Sequence, residues 1–386
     1  MSSIEVDFKV HTPTSISPHE VYKDNYKNSC LYQTKVNDKT TSFKGLTNIA
    51  LLGVIEKFVD KVKCSLDVGF IEVKSKTPSL SLKHCKQSTF AFQFKLVDAF
   101  YDCVLQHSHY YIYSENVQLF KDAYEEVGLS TMRLTDPGFY IPVIDMHEFE
   151  VFNQLITLIR HKCHSPSFSA RVVHRQRELN RKFREYSEYV NQLFKNCSRL
   201  LVVRIDLSYF VGHDEQNNRT KHLVTLEEVK ADFYRLLSNK RHNAIFDDLV
   251  GYVWKLEYGD LKGYHYHLIL FFNGNNVKGD FKKGKEIGDY WSDVITKGRG
   301  YYFNSNGKKS DYAHLGIGMI NAEGEEDAHL RFNLIHYVLS YLVKSGQYLK
   351  VKLKMNDRSI GKGVMPKEKS KAGRPRKALR VLNSLP

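Results

Sequence analysis

Two neighbouring runs of alternating residues constrain the fold of this chain more than any other feature. Residues 251–259 (GYVWKLEYG) and 263–272 (GYHYHLILFF) are rich in aromatic and β-branched residues, and a short loop bounded by glycines separates them. This pattern predicts two antiparallel strands joined by a tight hairpin. The apolar LILFF run indicates that the second strand lies inside a sheet. The fold is therefore expected to be built around this hairpin.

The segments on either side of the hairpin predict an α+β domain. Residues 200–207 (LLVVRIDL) predict a buried strand, and Thr225 with Glu228 forms a capping box that opens a helix. The remaining predicted elements are a helix near 285–296, a short strand at 316–320 and a helix at 329–344. The order β-α-β-β-α-β followed by a final helix predicts a ferredoxin-like (RRM-like) domain with an antiparallel sheet.

Length and charge suggest how the chain is divided. The 386 residues carry a net charge of +14, which favours a polyanionic partner. Residues 1–165 predict a mostly helical region of unknown role, and 166–360 a domain that opens with a basic amphipathic helix. Residues 361–386 hold eight Lys or Arg against one acid and predict a flexible basic tail.

Two histidines and a glutamate predict a metal site on the hairpin. His265 and His267 are two residues apart on one strand, so both imidazoles point to the same face of the sheet. If the loop runs from Gly259 to Gly263, Glu257 pairs opposite His265, within about 5.5 Å at Cβ. Two histidines and one carboxylate suit Mg²⁺ or Mn²⁺ that also binds a phosphate. Asp206 is a second acidic candidate, although a polar role at a strand end is the simpler expectation.

The final predicted helix carries a candidate nucleophile. Tyr337, Tyr341 and Lys344 follow the spacing Tyr-x-x-x-Tyr-x-x-Lys, which places them on one helical face. The apolar residues of the helix already supply a face for burial, so this stripe favours function over packing. A tyrosine hydroxyl has a pKa near ~10 and needs help to attack a phosphate. A divalent ion and the ammonium of Lys344 would supply that help.

Taken together, these motifs resemble the HUH endonucleases, and more narrowly the inovirus-type replication proteins, which include the YagK/YfjJ C-terminal domain group. The matching segments are 198–209, 256–274, 288–304, 316–320, 337–352 and 358–363. The dual-tyrosine helix is similar to that of isometric phage initiators. Tyr266, between the two histidines, stands where the family usually has a bulky hydrophobic residue. The resemblance covers about 170–363 and does not extend to residues 1–165.

The resemblance implies a metal-dependent enzyme that nicks single-stranded DNA and starts rolling-circle replication. It implies that His265, His267 and Glu257 bind Mg²⁺ or Mn²⁺, with Glu257 as the third ligand. Tyr337 and Tyr341 become the nucleophiles, assisted by Lys344. A nucleophile stays linked to the 5′ phosphate, and the free 3′ hydroxyl primes synthesis. Two tyrosines allow a second transfer that rejoins the ends.

Other basic residues are candidates for DNA contacts. Arg374, Arg376 and Lys377 lie in the tail, where Gly-Arg-Pro resembles the core of an AT-hook and a general phosphate-binding tail is the simpler alternative. Arg299 precedes Tyr301, and this segment either seats a base on an aromatic ring or enters a core strand. The chain has no phosphate-binding loop of a helicase motor, so a host helicase is an expected partner.

Two other functions remain open from the sequence. A non-catalytic, sequence-specific DNA-binding protein would share the fold, and a transposase or relaxase would share the chemistry. No signal peptide, membrane span or paired-cysteine motif is evident, so we expect no membrane partner and a location in the cytoplasm of a bacterium or phage-infected cell.

Overall fold

A computed structural model describes most of the chain after residue 47. The described ranges are 48–73, 85–95, 97, 99–100, 111–214, 219–259, 262–309, 315–344, 349–351 and 358–367. Within these ranges the protein is a mixed α+β structure, with a helical N-terminal region and a six-stranded antiparallel sheet. The prediction of a mostly helical region before an α+β domain is confirmed at this level.

Helices and several short strands form the described part of the N-terminal region, where residues 94–95, 97 and 99–100 are also helical. The helices are α1 (Asn48–Cys64), α2 (Glu115–Glu126) and α3 (Glu148–Cys163). The strands are β1 (Phe70–Glu72), β2 (Cys85–Gln87), β3 (Tyr111–Tyr113), β4 (Tyr140–Ile141) and β5 (Met146–His147), with a 3₁₀ turn at Ala91–Gln93. Buried residues between 51 and 168 form one apolar core, in which Phe58 stacks on Phe152 with ring centroids 6.3 Å apart. This region therefore has its own hydrophobic core.

A single long helix, α4 (Pro166–Asn196), links this core to the sheet. Ser165 caps its first turn by accepting a hydrogen bond from the Phe168 amide, and Pro166 suits the first turn because it needs no amide donor there. Phe168 packs in the N-terminal core, whereas Tyr189 and Leu193 pack against the sheet. No helix in the described part of the chain is long and apolar enough to cross a membrane.

The sheet follows α4. Its strands are β6 (Arg199–Tyr209), β9 (Leu249–Gly259), β10 (Gly263–Asn273), β11 (Gly300–Asn304), β12 (Gly318–Asn321) and β14 (Ile360–Lys362). Outside it lie the hairpin β7 (Val211–Asp214) and β8 (Arg219–His222), and β13 (Leu349–Val351), which pairs with β3. The helices are α5 (Leu226–Asn239), α6 (Asp280–Asp289), α7 (Ala328–Asn333) and α8 (Ser340–Lys344), with π-helical turns at Tyr290–Ile295 and Leu334–Leu339 and 3₁₀ turns at Ala244–Phe246 and Ser305–Lys308.

The strand order across the sheet is β11-β6-β10-β9-β14. β12 also pairs with β6, so two short strands share one edge of β6. β11 pairs with residues 205–209, and β12 pairs with residues 199–202. The central pair is β10 with β6, and this places the predicted hairpin in the middle of the domain.

Alternating side chains give the sheet two different faces. On one face, residues such as Leu268 of β10 form an apolar core with Val229 of α5 and Ile287 of α6. On the other, Val202 and Ile269 pack against α4 and against the helix at residues 328–344, which we call the tyrosine helix. We call this second surface the site face, because its polar end carries the residues described below.

One buried carboxyl between α1 and α2 makes stability depend on pH. Burial raises the pKa of Glu56 to about 7, although the Ser114 hydroxyl donates a hydrogen bond to it. A carboxyl with a raised pKa favours folding while it is protonated. Its contribution is therefore greatest below about pH 4.5 and is lost as the pH rises through about 7.

We expect Glu56→Gln to stabilise the protein at about pH 8 and to have little effect at about pH 5. The gain at the higher pH is on the order of 2–3 kcal/mol, because glutamine carries no charge to bury. Thermal unfolding at the two pH values measures it, and exposed Glu323→Gln is the control. An equal shift at both pH values would contradict the assignment.

Candidate metal and tyrosine site

The site face changes from apolar to charged along the strands. On β6, Val202 belongs to the apolar core, and the next two residues on the same face are Arg204 and Asp206. On β10, Ile269 is followed in the same way by His267 and His265. Arg204 and both histidines are buried, although they are polar. Buried polar groups need partners, and the two histidines find them in Glu257, Asp206 and the carbonyl of Gly263.

The hairpin register brings the predicted metal ligands together. Gly263 pairs with Gly259 and His265 with Glu257, as the glycine-bounded loop predicts. The Nε2 atoms of His267 and His265 lie 3.2 Å and 3.7 Å from Oε2 of Glu257. Possible ligand atoms of the three residues all lie within 4.8 Å of one another. Glu257, His265 and His267, which we call the metal group, could hold a metal ion.

The other ring nitrogen of each histidine already has a partner. Nδ1 of His265 lies 3.0 Å from the carbonyl oxygen of Gly263, and Nδ1 of His267 lies 2.7 Å from Oδ1 of Asp206. A protonated Nδ1 donates to each of these oxygens, which leaves both Nε2 atoms directed toward Glu257. Such contacts fix the tautomer and ring orientation that a metal-binding histidine requires. The donor set therefore fits a divalent ion.

Asp206 has a different role from the one expected for a polar strand end. β6 pairs with β10 so that Asp206 lies directly opposite His267. Opposite residues share a face, and the carboxylate therefore reaches the imidazole. The sequence signal was an aspartate within an apolar strand, and only the pairing of two distant strands identifies its partner.

Charges in this cluster shift the pKa values of His267 and Glu257. Burial alone would lower the pKa of His267, but the carboxylates of Asp206 and Glu257 outweigh it and raise the pKa to about 9. Burial alone would raise the pKa of Glu257, but Lys255, whose Nζ lies 3.0 Å away, and His267 hold it well below its usual range. When no metal ion is bound, the protonated imidazole of His267 carries the positive charge next to the two carboxylates.

Tyr341 is the predicted nucleophile that lies at this cluster. Its half-buried ring has its centroid 5.7 Å from that of His267, with the planes at 83°. Cζ of Arg204 lies 5.8 Å from the same ring centroid. Tyr341 thus lies between the histidine of the metal group and a buried guanidinium.

Tyr337 lies one turn earlier in a different environment. Its side chain is 39% exposed, and its ring centroid is 6.2 Å from that of Phe332. The π-helical turn Leu334–Leu339 interrupts the predicted regular α-helix between α7 and α8. Such turns are rare and often occur at functional sites. Lys344 is the last residue of α8, and the prediction for its side chain lies outside what the structure describes.

The other predicted DNA contacts lie away from the histidines. Arg299 donates hydrogen bonds to Asp232 and Glu228 of α5, over 2.8 Å and 3.3 Å. Its contact with DNA stays a prediction. Arg374, Arg376 and Lys377 lie outside the described residues.

Comparison with known proteins gives one family match. Residues 167–356 match the family model described as the YagK/YfjJ C-terminal domain. The matched range begins in the first turn of α4 and includes the metal group and both tyrosines. No curated protein and no solved structure matches the chain.

Metal binding is expected to depend on pH because a metal ion at Nε2 must displace the proton of His267. Affinity for Mn²⁺ should rise about tenfold per pH unit below the pKa of about 9 and level off above it. Isothermal titration calorimetry in buffers of different ionisation enthalpy measures both the affinity and the released proton. Asp206→Asn should move the levelling-off to lower pH, because it removes a carboxylate that raises the pKa of His267. A pH-independent affinity would contradict the assignment of His267 as a ligand.

Proposed function

We propose that this protein is a metal-dependent DNA endonuclease of the HUH kind that nicks a single strand through a tyrosine and starts rolling-circle replication. The observation that carries the proposal is the position of Tyr341, whose ring contacts His267 of the group that could hold a metal ion. A nucleophile and a site for the scissile phosphate therefore lie together. The family match includes both of them.

The strand order supports a ferredoxin-like domain as the framework of this chemistry. If β6, β9, β10 and the β11/β12 edge are taken as the four strands in chain order, β6 and β10 are the central pair. The crossover helices α5 and α6 both pack on the face opposite the site face. This arrangement fits the β-α-β-β-α-β motif. It leaves the site face free for the tyrosine helix.

In this proposal the residues of the chain bind the DNA strand, orient its scissile phosphate and transfer that phosphate to a tyrosine. When bound, a divalent ion supplies a Lewis acid that neutralises and orients the scissile phosphate. Tyr341 Oη forms a bond to phosphorus, and the bond from phosphorus to the 3′ oxygen breaks. The phenol loses one proton and the leaving oxygen gains one, so no water is consumed. The guanidinium of Arg204, which lies near the same ring, stabilises the developing negative charge.

Tyr337 then serves a second transfer. A strand joined to Tyr341 through its 5′ phosphate leaves a free 3′ hydroxyl for priming, while the exposed Tyr337 remains available for a later cleavage. In this proposal the ammonium of Lys344 assists the attack of the tyrosine on the phosphate. Single-stranded origin DNA is the substrate, Mg²⁺ or Mn²⁺ is the cofactor, and a host helicase separates the strands.

An adduct assay tests the proposal. The full chain is incubated with single-stranded oligonucleotides tiled across the DNA that flanks its gene, with Mn²⁺ or with EDTA, and analysed on a denaturing gel. We expect a metal-dependent covalent adduct that disappears in the Tyr337→Phe/Tyr341→Phe double variant. Tight binding in EDTA with no adduct would favour the non-catalytic DNA-binding protein. An adduct that transfers its strand to an unrelated target would favour a transposase.

A further inference from the structure

Two aromatic residues of edge strand β11 lie on the site face. Phe303 pairs directly opposite Asp206, and Tyr301 pairs opposite Ser208. Directly opposite residues point to the same face, so both rings share the surface that carries Asp206 and His267. Tyr301 and Phe303 are half-buried. The edge of the sheet next to the metal group is therefore lined with rings.

The residue between them has a different role. Tyr302 points to the opposite face, packs against the core under α5 and α6, and donates a hydrogen bond from its hydroxyl to Asp289 over 2.9 Å. Tyr301 and Phe303 are members of neither apolar core of the sheet, as far as the described residues show. Core packing accounts for Tyr302.

Neighbouring groups extend this aromatic edge. Phe210 is 53% exposed, and its ring centroid lies 5.1 Å from that of Tyr301 with the planes at 36°. The exposed Lys308 places its ammonium 5.7 Å from the centroid of the Phe303 ring. Partly exposed rings beside a cation are the combination that binds unpaired bases and the phosphates between them.

The distance from the rings to the metal group fits a neighbouring nucleotide. Asp206 on β6 separates Phe303 on β11 from His267 on β10. Adjacent strands lie about 4.8 Å apart, so two strand spacings, or about 10 Å, separate the strand positions of Phe303 and His267. A base next to the phosphate under attack lies within this distance. The same cross-strand row thus contains a phosphate site and a surface for a base.

We infer that Tyr301 and Phe303, together with Phe210, form a subsite that stacks the unpaired bases next to the scissile phosphate. The inference rests on the proposed function, since it assumes that the scissile phosphate lies at the metal group. Stacking on these rings holds the strand without reading its sequence, because every base has a π-face. Lys308 binds a phosphate between the stacked bases.

Binding without metal tests the subsite separately from cleavage. A fluorescently labelled oligothymidylate is titrated with the full chain in EDTA, and the anisotropy gives the affinity. Tyr301→Leu and Phe303→Leu keep apolar volume but remove the ring, and we expect each to weaken binding about tenfold or more. Tyr301→Phe and Phe303→Tyr should bind like the wild type. Tyr234→Leu, at an exposed ring of α5, is the matched control and should change nothing.

The outcomes distinguish this inference from the proposed function. If the leucine variants fold, as judged by circular dichroism, and bind like the wild type, the subsite is refuted even where nicking is intact. If binding falls in the leucine variants and is kept in the conservative ones, the subsite is supported even where no adduct forms. A wild-type chain that forms no adduct with any tiled strand refutes the proposed function alone.

Discussion

Tyr341→Phe is expected to lower the first strand cleavage at least about a thousandfold, because it removes the proposed nucleophile beside His267. The phenylalanine ring keeps the contacts with His267 and Arg204, so folding and metal affinity should stay close to those of the wild type. Single-turnover cleavage of a labelled strand in Mn²⁺ measures the loss. The denaturing gel should show no adduct in the same samples.

Tyr337→Phe is the matched variant one helical turn away. Its exposed position beside Phe332 predicts a first cleavage within about tenfold of the wild type. Rejoining of the ends, which needs a second nucleophile, should be lost instead. The order of the tyrosines is reversed if Tyr337→Phe loses the first adduct and Tyr341→Phe keeps it. Equal losses in both variants would contradict the assignment of one tyrosine to each transfer.

The hairpin was predictable because residues that are close in sequence determine its loop and its register. Gly259 and Gly263 bound a short loop, and a hairpin register follows from the position of its loop. Once the register is known, strand alternation places His265, His267 and Glu257 on one face. These residues are close in sequence, so spacing alone was enough to predict that they lie together.

The rest of the site depends on contacts between distant segments. Asp206 and Arg204 reach the cluster only because β6 pairs with β10 in one register, and a shift of one residue would turn both to the other face. Phe303 depends in the same way on the pairing of β11 with β6. The alternating pattern of a strand shows which residues share a face, but it does not identify the partner strand.

The tyrosine helix shows a second limit of what can be predicted from the sequence. Its sequence predicts a continuous helix, and the apolar positions Leu334, Val338 and Leu342 are buried as that prediction requires. The π-helical turn depends on packing against α4 and the sheet rather than on local spacing. Helical spacing treated Tyr337 and Tyr341 as equivalent, and packing separates them into an exposed residue and a half-buried one.

His267→Ala is expected to have the second large effect. It removes a ligand to the ion and the group that joins Asp206 to Glu257. Metal affinity should fall by at least about a hundredfold, and metal-dependent cleavage by at least about a thousandfold. Asp206→Asn keeps the histidine but removes the carboxylate that orients it and raises its pKa, and it should cost about 10–100-fold in metal affinity. Calorimetric titration with Mn²⁺ ranks the two variants.

Tyr266→Phe is the control for this series, because Tyr266 lies between the two histidines on β10 and points to the opposite face. Its ring stacks on Phe233 with centroids 3.9 Å apart, and phenylalanine keeps that contact. Metal affinity and cleavage should stay close to the wild type. If His267→Ala retains metal affinity while cleavage is lost, the histidine acts on the strand directly and the ion binds elsewhere. If Asp206→Asn costs more than His267→Ala, Asp206 is itself a ligand, and the group that holds the ion is Asp206 with Glu257.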